Sequence, residues 1–537
     1  MSVAQPANGD PHIRERVKNY AGWLAKQAKH DVLNDNAKEI NDYIQEATKV
    51  VKVGKQEVAM FAPFRPKLSA LQTFTTRQVV AFCVIVLLWM IGLLVFRLEM
   101  LTATIAVITV MYTFNLILSM SIALVAFGNS PEEHISDDIV HALKGANWPL
   151  YTILCPLYRE AQVVPQFVQA MLALDYPPDK LQILFLTEEN DAETRNAIRA
   201  LSLPPHFQIL VVPDGLPRTK PRACNYGLLH TTGPFAVIYD AEDIPDPLQL
   251  KKAVLTFAGH GSDVICVQAK LNFYNIRQNL LTRWFTAEYS TWFDVILPGL
   301  QQVGFSLPLG GTSNHFRTAA LRALGGWDAY NVTEDCDLGL RLKRYRMSTV
   351  ILDSTTLEEA NSQVMNWLRQ RSRWIKGYMQ TYLVYMRHPL ADLRKGRMYN
   401  LFSFQVVIGS GTALLFINPL MWVLLDLYIA FGRSAINIYH ILFPGPILYL
   451  GVFCLIIGNF FYVYLYLLAC MKRKQYHLLP WVLFMPCYWL LMSIAALYAL
   501  FELLLKPHYW QKTVHGLHLK RKRRSSVAAV TLPSPKG

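Results

Sequence analysis

From Val79 to Phe96 the chain carries no charged residue, and after Arg97 and Glu99 a second uncharged run extends from Met100 to Pro131. Each reaches the roughly 20 apolar residues that cross a bilayer core. Three further apolar regions follow: Leu401 to Phe431, interrupted by Asn418-Pro419 and carrying Asp426, then Leu442 to Met471, and Leu478 to Phe501. Between the second and third runs, Glu132 to Met398 has ordinary polarity. The pattern predicts a soluble domain inserted between two sets of transmembrane helices. Within it, Tyr151–Cys155, Gln182–Thr187, Gln208–Val212 and Phe235–Tyr239 read as short buried strands, and Val164–Leu174 and Leu248–Phe257 as amphipathic helices. Strands and helices in alternation predict a doubly wound α/β sheet. Ahead of the first run, Ile13, Val17, Tyr20 and Leu24, then Ile40, Tyr43, Ile44, Ala47 and Val51, follow helical spacing. These two helices are expected to pack on the domain. Residues 1–70 lack the early apolar core of a cleavable signal peptide.

Charge adds an orientation. Of 537 residues 17% are charged, against the roughly 25% of soluble proteins, while 53% are hydrophobic. This excludes a disordered chain. The net charge of +14 gathers beside apolar runs, in the amino segment, Arg387–Arg397 and Lys520–Arg524. The positive-inside rule therefore puts these segments and the domain in the cytosol. Basic residues at such places point to anionic membrane lipid and not to nucleic acid. The eight cysteines are scattered without a Cys-x-x-Cys pair, which excludes a disulfide framework and fits a reducing compartment. The expected organisation is 1–74 amphipathic helices, 75–130 two transmembrane helices, 131–365 the soluble domain, 366–399 interfacial helices, 400–505 about four transmembrane segments, and 506–537 a basic cytosolic tail. Four later crossings require a tight hairpin at Asn418-Pro419, and they leave Lys472-Arg473-Lys474 on the outside. The expected location is the inner (plasma) membrane of a bacterium.

Acidic groups stand at two predicted strand ends, Thr187-Glu188-Glu189-Asn190-Asp191 and Asp240-Ala241-Glu242-Asp243. Doubly wound sheets bind ligands at those ends, and paired carboxylates suit a hard divalent cation. Alone, an acidic turn after a strand is more often a solvated loop. Two further motifs accompany it: Gly326-Trp327 ahead of Thr333-Glu334-Asp335-Cys336-Asp337, and Gln370-Arg371-Ser372-Arg373-Trp374 on a helical pattern.

In this order, within a domain flanked by spans, the motifs resemble the membrane-embedded processive branch of inverting family 2 glycosyltransferases, which includes cellulose, chitin and hyaluronan synthases. The resemblance covers about residues 75–515. It implies a GT-A-type, Rossmann-like cytosolic domain that polymerises a nucleotide sugar, expected to be a UDP-hexose, and moves the growing polysaccharide across the membrane. By the same resemblance Pro156, Tyr158 and Glu160 form the opening nucleotide loop. Glu188 and Glu189 stand where the family has an Asp that reads the base. Lys220 and Asn225 hold the nucleotide and diphosphate. Asp240 and Glu242 match the metal motif for Mg²⁺ or Mn²⁺, with Asp243 as a further ligand. Asp335 is the general base, Arg373 meets the diphosphate, and Glu334, Gln370 and Trp374 meet the acceptor. Trp510, Lys512 and Thr513 look like a gating segment at the cytosolic mouth. The chemistry suits these residue types: a carboxylate removes the acceptor's proton, positive charge offsets the leaving diphosphate, and an indole gives a sugar a flat apolar surface. Two other readings stand beside this one. One is a non-processive transfer onto a lipid phosphate. The other is a catalytically dead channel or assembly subunit, motivated by Glu in place of Asp at two positions.

Overall fold

The computed structural model describes residues 11–30, 37–53, 56–432 and 436–509. Strands β1 (Val51–Val53) and β2 (Gln56–Val58) form an antiparallel pair ahead of the first apolar run. The others, β3 (Tyr151–Leu157), β4 (Leu181–Glu188), β5 (Phe207–Val212), β6 (Phe235–Ile238), β7 (Val264–Phe273), β8 (Asn314–Arg317) and β9 (Ser348–Glu358), make one sheet in the order β5-β4-β3-β6-β8-β7-β9. Neighbours among β3 to β6 pair in parallel, β8 is antiparallel between β6 and β7, and β9 runs parallel to β7. Strands buried on both faces read as continuous apolar runs, as β3 and β4 do.

Alternate residues of β3 enter different cores. Ile153 and Cys155 pack with Phe167 and Phe257, and with Val17, Tyr20 and Leu24 of the helix Pro11–His30. Leu154 packs with Leu228, Trp327 and Leu338, and with Tyr43 and Ala47 of the helix Ala37–Ala47. Each amino-terminal helix thus covers one face of the domain, as its spacing predicts.

Five helices are long and apolar enough to cross a membrane: Thr76–Val95, Arg97–Gly128, Met398–Phe431, Gly445–Lys472 and Met485–Leu505. The first begins at a capping box in which Thr75 Oγ1 accepts from Gln78 N and the Gln78 side chain accepts from Thr75 N. Two expectations are corrected here. The helix continues through Asn418-Pro419 without a hairpin, so three long apolar helices follow the domain among the described residues, not four. An apolar helix tolerates an internal proline where its neighbours and local adjustments absorb the freed backbone group. In addition, Lys472 and Arg473 lie against the domain. Lys472 Nζ is 2.7 Å from Glu132, and Arg473 pairs with Asp294. At the opposite end of the bundle, Thr102 Oγ1 donates to Ile441 O at 2.9 Å.

The last apolar helix behaves differently. It packs lengthwise on the helix Val364–Tyr385, which follows the sheet. Tyr488 near its start meets Trp367 with ring centroids 5.0 Å apart, and Glu502 near its end lies 3.0 Å from Lys376. Farther on, Gln380 Nε2 donates to Pro507 O at 2.8 Å. Both ends of this helix therefore lie on the domain's side.

Candidate active site

A cavity of about 520 Å³ opens at the carboxyl ends of β3, β4 and β6, bounded by the helix Val364–Tyr385, and reaches Tyr462, Leu465 and Met492 of the apolar helices. Twelve of the residues predicted from the sequence line it: Pro156, Tyr158, Glu160, Glu188, Lys220, Asp240, Glu242, Glu334, Asp335, Gln370, Arg373 and Trp374. Segments far apart in the chain converge because three parallel strands end at one edge of the sheet and a later helix closes over them.

Lys220 is the first residue of the helix Lys220–Leu229. Its ammonium lies 2.5 Å from Asp240 Oδ1 and donates to Gly311 O at 2.7 Å. Burial alone pushes this amine down, but Asp240 and Glu334 outweigh that and hold it above its usual range. Burial pushes the Glu188 carboxyl up to about 7 even though Arg222 stands 3.9 Å away.

Thr333 precedes the helix Glu334–Arg344, so Glu334 and Asp335 sit in its first turn, where a carboxylate interacts favourably with the helix dipole. Asp335 Oδ1 accepts from Cys336 N at 2.8 Å, and its other oxygen lies beside Gly311. Burial raises the carboxyls of both Asp335 and Glu334, the latter to about 8.

The helix bearing Gln370, Arg373 and Trp374 approaches this turn through Gly377. A Cβ at Gly377 would stand 2.3 Å from Thr333 Oγ1. Gly377→Ala is therefore expected to push the helix off the Thr333–Asp335 turn. It should cost about 1–3 kcal/mol and lower turnover with it, read by thermal unfolding and initial rates.

Three predicted residues lie elsewhere. The Asn225 amide donates to Trp327 O at 2.8 Å and accepts from Trp327 N at 2.9 Å, so it braces the domain's own backbone outside the cavity. Glu189 accepts from Asp214 N at 2.9 Å and does not line the cavity. Asp243 is fully buried and turned inward, accepting from Asp240 N at 2.6 Å and from the Thr312 hydroxyl. Trp510, Lys512 and Thr513 lie outside the described residues.

The structure also adds residues to which the motifs gave no role. Glu358, at the end of β9, lines the cavity. So do Glu288, Arg371 and Tyr466 toward the apolar helices. Arg371 Nη1 donates to Glu288 Oε1 at 3.0 Å, and its guanidinium lies 4.6 Å from the Trp374 ring. Their only trace in the sequence is Arg371, inside the Gln-x-x-Arg-Trp motif.

For a divalent cation the donor set is sparse. No group of three or more His, Cys, Asp or Glu side chains forms a metal cluster among the described residues. Asp240 and Glu242 remain as carboxylates facing the cavity, with Asp243 engaged elsewhere. Such a pair fits Mg²⁺, which takes one or two carboxylates and fills its shell with phosphate oxygens and water.

Residues 149–377 match the family described as Glycosyltransferase like family 2. Over 242 residues the chain is 26% identical to the UDP-forming cellulose synthase 1 catalytic subunit of Komagataeibacter xylinus, covering 44% of this chain and 32% of that protein. It is 28% identical over 271 residues to the beta-monoglucosyldiacylglycerol synthase of Synechocystis, covering 48% and 54%. A solved mannosyltransferase from Pyrobaculum calidifontis, in complex with GDP-Man and Mn²⁺, is 19% identical with a TM-score of 0.47, covering 75% of this chain and 99% of its own. The matches span only 32% and 54% of the length of these two curated relatives.

Proposed function

Because residues 149–377 form a GT-A-type domain of glycosyltransferase family 2, we propose that this chain is an inverting, metal-dependent membrane enzyme that polymerises a nucleotide sugar, a UDP-hexose, and passes the product between its own helices. One observation carries the reading. One cavity is lined by Asp240 and Glu242, by Asp335 and Trp374, and by Tyr462 and Met492 of the apolar helices. Its inner wall carries Glu288, Arg371 and Tyr466, whose polar groups suit sugar hydroxyls better than acyl chains.

In this reading Asp335 takes the proton of the attacking acceptor hydroxyl, and the nucleotide diphosphate departs from the opposite face of the anomeric carbon. Lys220 and Arg373 supply positive charge on the diphosphate side, while Gln370 and Trp374 orient the acceptor sugar. Asp240 and Glu242 would hold Mg²⁺ or Mn²⁺, which would supply positive charge to offset the leaving diphosphate. The bundle then crosses the membrane four times, with the helix Met485–Leu505 lying at the interface. The contacts of Lys472, Tyr488 and Glu502 with the domain support this arrangement, which keeps the basic segments on one side. That side is the cytosol and the membrane is the plasma membrane.

Incubating the purified chain with individual radiolabelled UDP-sugars tests the function. Long polymer is the expected product. A single sugar on extracted lipid would transfer the chain to the lipid-acceptor class, to which the likeness to the diacylglycerol-modifying relative points. No product from any donor would leave the dead-subunit reading.

Metal dependence has its own test. Excess EDTA is expected to abolish UDP release, with Mg²⁺ or Mn²⁺ restoring it, and Asp240→Asn should raise the metal requirement. Asp243→Asn should instead lower thermal stability with little change in that requirement, because Asp243 holds the turn together and not the ion. Full activity in EDTA would end the metal assignment.

A further inference from the structure

We infer that a cleft between the segment 65–68 and the end of the helix Val364–Tyr385 binds a phosphate ester, and that the headgroup of an anionic lipid is its source. The cleft encloses about 460 Å³ and is lined by Arg65, Lys67, Arg344, Tyr385 and His388 with no acidic side chain among the described residues that wall it. Asp392, beside it, is shared between Arg344 at 3.1 Å and Arg397 at 3.2 Å, so its charge is already met. Positive charge in excess at a concave site attracts a singly charged diester, and guanidinium groups match its oxygens with paired donors.

The cleft is built by the fold. Arg387 donates to the carbonyls of Pro66 at 3.3 Å, Lys67 at 3.0 Å and Ser69 at 3.1 Å, and also to Gln72 O. One half-buried guanidinium thus holds the loop by its backbone, and Lys67 and Arg65, the latter also donating to Ala323 O at 3.1 Å, line the cleft. On the opposite wall the Tyr385 hydroxyl is buried without a hydrogen-bond partner in the protein, beside Arg344, whose guanidinium lies 5.5 Å from its ring.

The position favours a lipid as the source. Gln78, in the first turn of the first apolar helix, donates to Leu383 O at 2.7 Å, one turn from the cleft. After His388 the short helix Pro389–Arg394 exposes Leu390 and Leu393, and Met398 opens the next apolar helix. Cations on one side and exposed apolar residues on the other match the boundary between headgroups and acyl chains. This assignment rests on the proposal that the apolar helices lie in a bilayer, and is independent of glycosyl transfer.

Native mass spectrometry of the full chain in neutral detergent provides the test, with phosphatidylglycerol, diacylglycerol and inorganic phosphate as separate probes. The wild type should retain phosphatidylglycerol and not diacylglycerol. R65Q/K67Q should weaken retention on the order of tenfold, from the known contribution of basic residues at anionic surfaces. K144Q/R199Q removes the same charge elsewhere and should change it less than about twofold by the same reasoning. Lys67→Gln alone, at an exposed position, keeps the test open where the double variant fails to fold.

Unchanged retention in the cleft variants would overturn the site, as would equal loss in the control. Binding of inorganic phosphate that depends on Arg65 and Lys67, without lipid retention, would overturn the lipid source. Carbonate-washed membranes test the bilayer reading separately: release of the chain there would end that reading without touching the binding measured in detergent.

Discussion

Asp335→Asn is expected to lower turnover by about 10²–10⁴-fold while UDP-sugar affinity stays near that of the wild type. The substitution keeps size and hydrogen-bonding shape but removes the ability to accept a proton. Asp240 is ion-paired with Lys220 at 2.5 Å, whereas Asp335 Oδ1 accepts from the backbone N–H of Cys336 at 2.8 Å. Asp337, two residues on, does not replace it, because Arg341 Nε donates to its carboxylate at 2.8 Å and it is 1% exposed.

The pH dependence follows from the same burial. A base works only when ionised, and burial raises the Asp335 carboxyl above the usual range of about 3.9. Turnover should therefore fall on the acid side at a pH above that of an ordinary aspartate, and the Asn variant should lack this limb. Calorimetry of UDP-sugar binding and initial UDP release, on both proteins, check the pair. Retained turnover in Asp335→Asn would remove it from the base role. Joint loss of turnover and affinity would reassign the Thr333–Asp335 turn to holding the donor.

Four of the sheet's seven strands are legible in the sequence because β3, β4, β5 and β6 are runs of aliphatic and aromatic residues. The remaining strands hide among polar residues. In β7, Gln268, Lys270 and Asn272 are all buried, and each is buried for a reason that lies far away in the chain. Lys270 meets Glu132 at 3.3 Å, Asp294 at 3.1 Å and Asp353 at 2.8 Å. Its charge is compensated only after the second apolar helix, the domain and β9 have come together, and no local window contains that. The same network receives Lys472 and Arg473 from the apolar helix Gly445–Lys472. The hairpin expected at Asn418-Pro419 places them away from the domain, against the positive-inside rule, whereas their partners here are the domain's own Glu132 and Asp294.

The site was legible where a motif's residues share one face. Lys220 and Asn225 belong to one motif but stand five positions apart on a helix, about 140° around its axis at 3.6 residues per turn. Lys220 faces the cavity and Asn225 the interior. Asp243 misled for a similar reason, since the turn that presents Asp240 is closed by the Asp243 carboxylate itself. Proline at 419 was misread because the rule that it ends helices belongs to water, where freed carbonyls are solvated and the chain can turn.

Glu288→Ala is expected to destabilise the protein by about 3–5 kcal/mol, the usual cost of leaving one member of a buried ion pair without the other. Glu288 lies on the helix Leu280–Thr291 and Arg371 on the helix Val364–Tyr385. Tyr488, from the last apolar helix, donates to Glu288 at 2.6 Å and accepts from Arg371 at 3.1 Å. Three elements are therefore joined at one carboxylate. The Arg371 side chain is 7% exposed and lies 4.4 Å from the Phe285 ring and 4.6 Å from the Trp374 ring. Without Glu288 the cation is confined among these rings with its strongest partner gone. It must draw in water or shift, and Trp374 shifts with it. Turnover should then fall together with stability, since the acceptor's apolar surface moves. E288A/R371M removes both charges and should recover most of the stability, because two apolar side chains replace the pair without a stranded charge. Glu288→Gln, which keeps the hydrogen bonds but not the charge, should fall between the two. Thermal unfolding in detergent, with initial rates on the same samples, distinguishes the cases. A double variant as unstable as Glu288→Ala would show that the carboxylate acts through its bond to Tyr488 and not through the Arg371 charge.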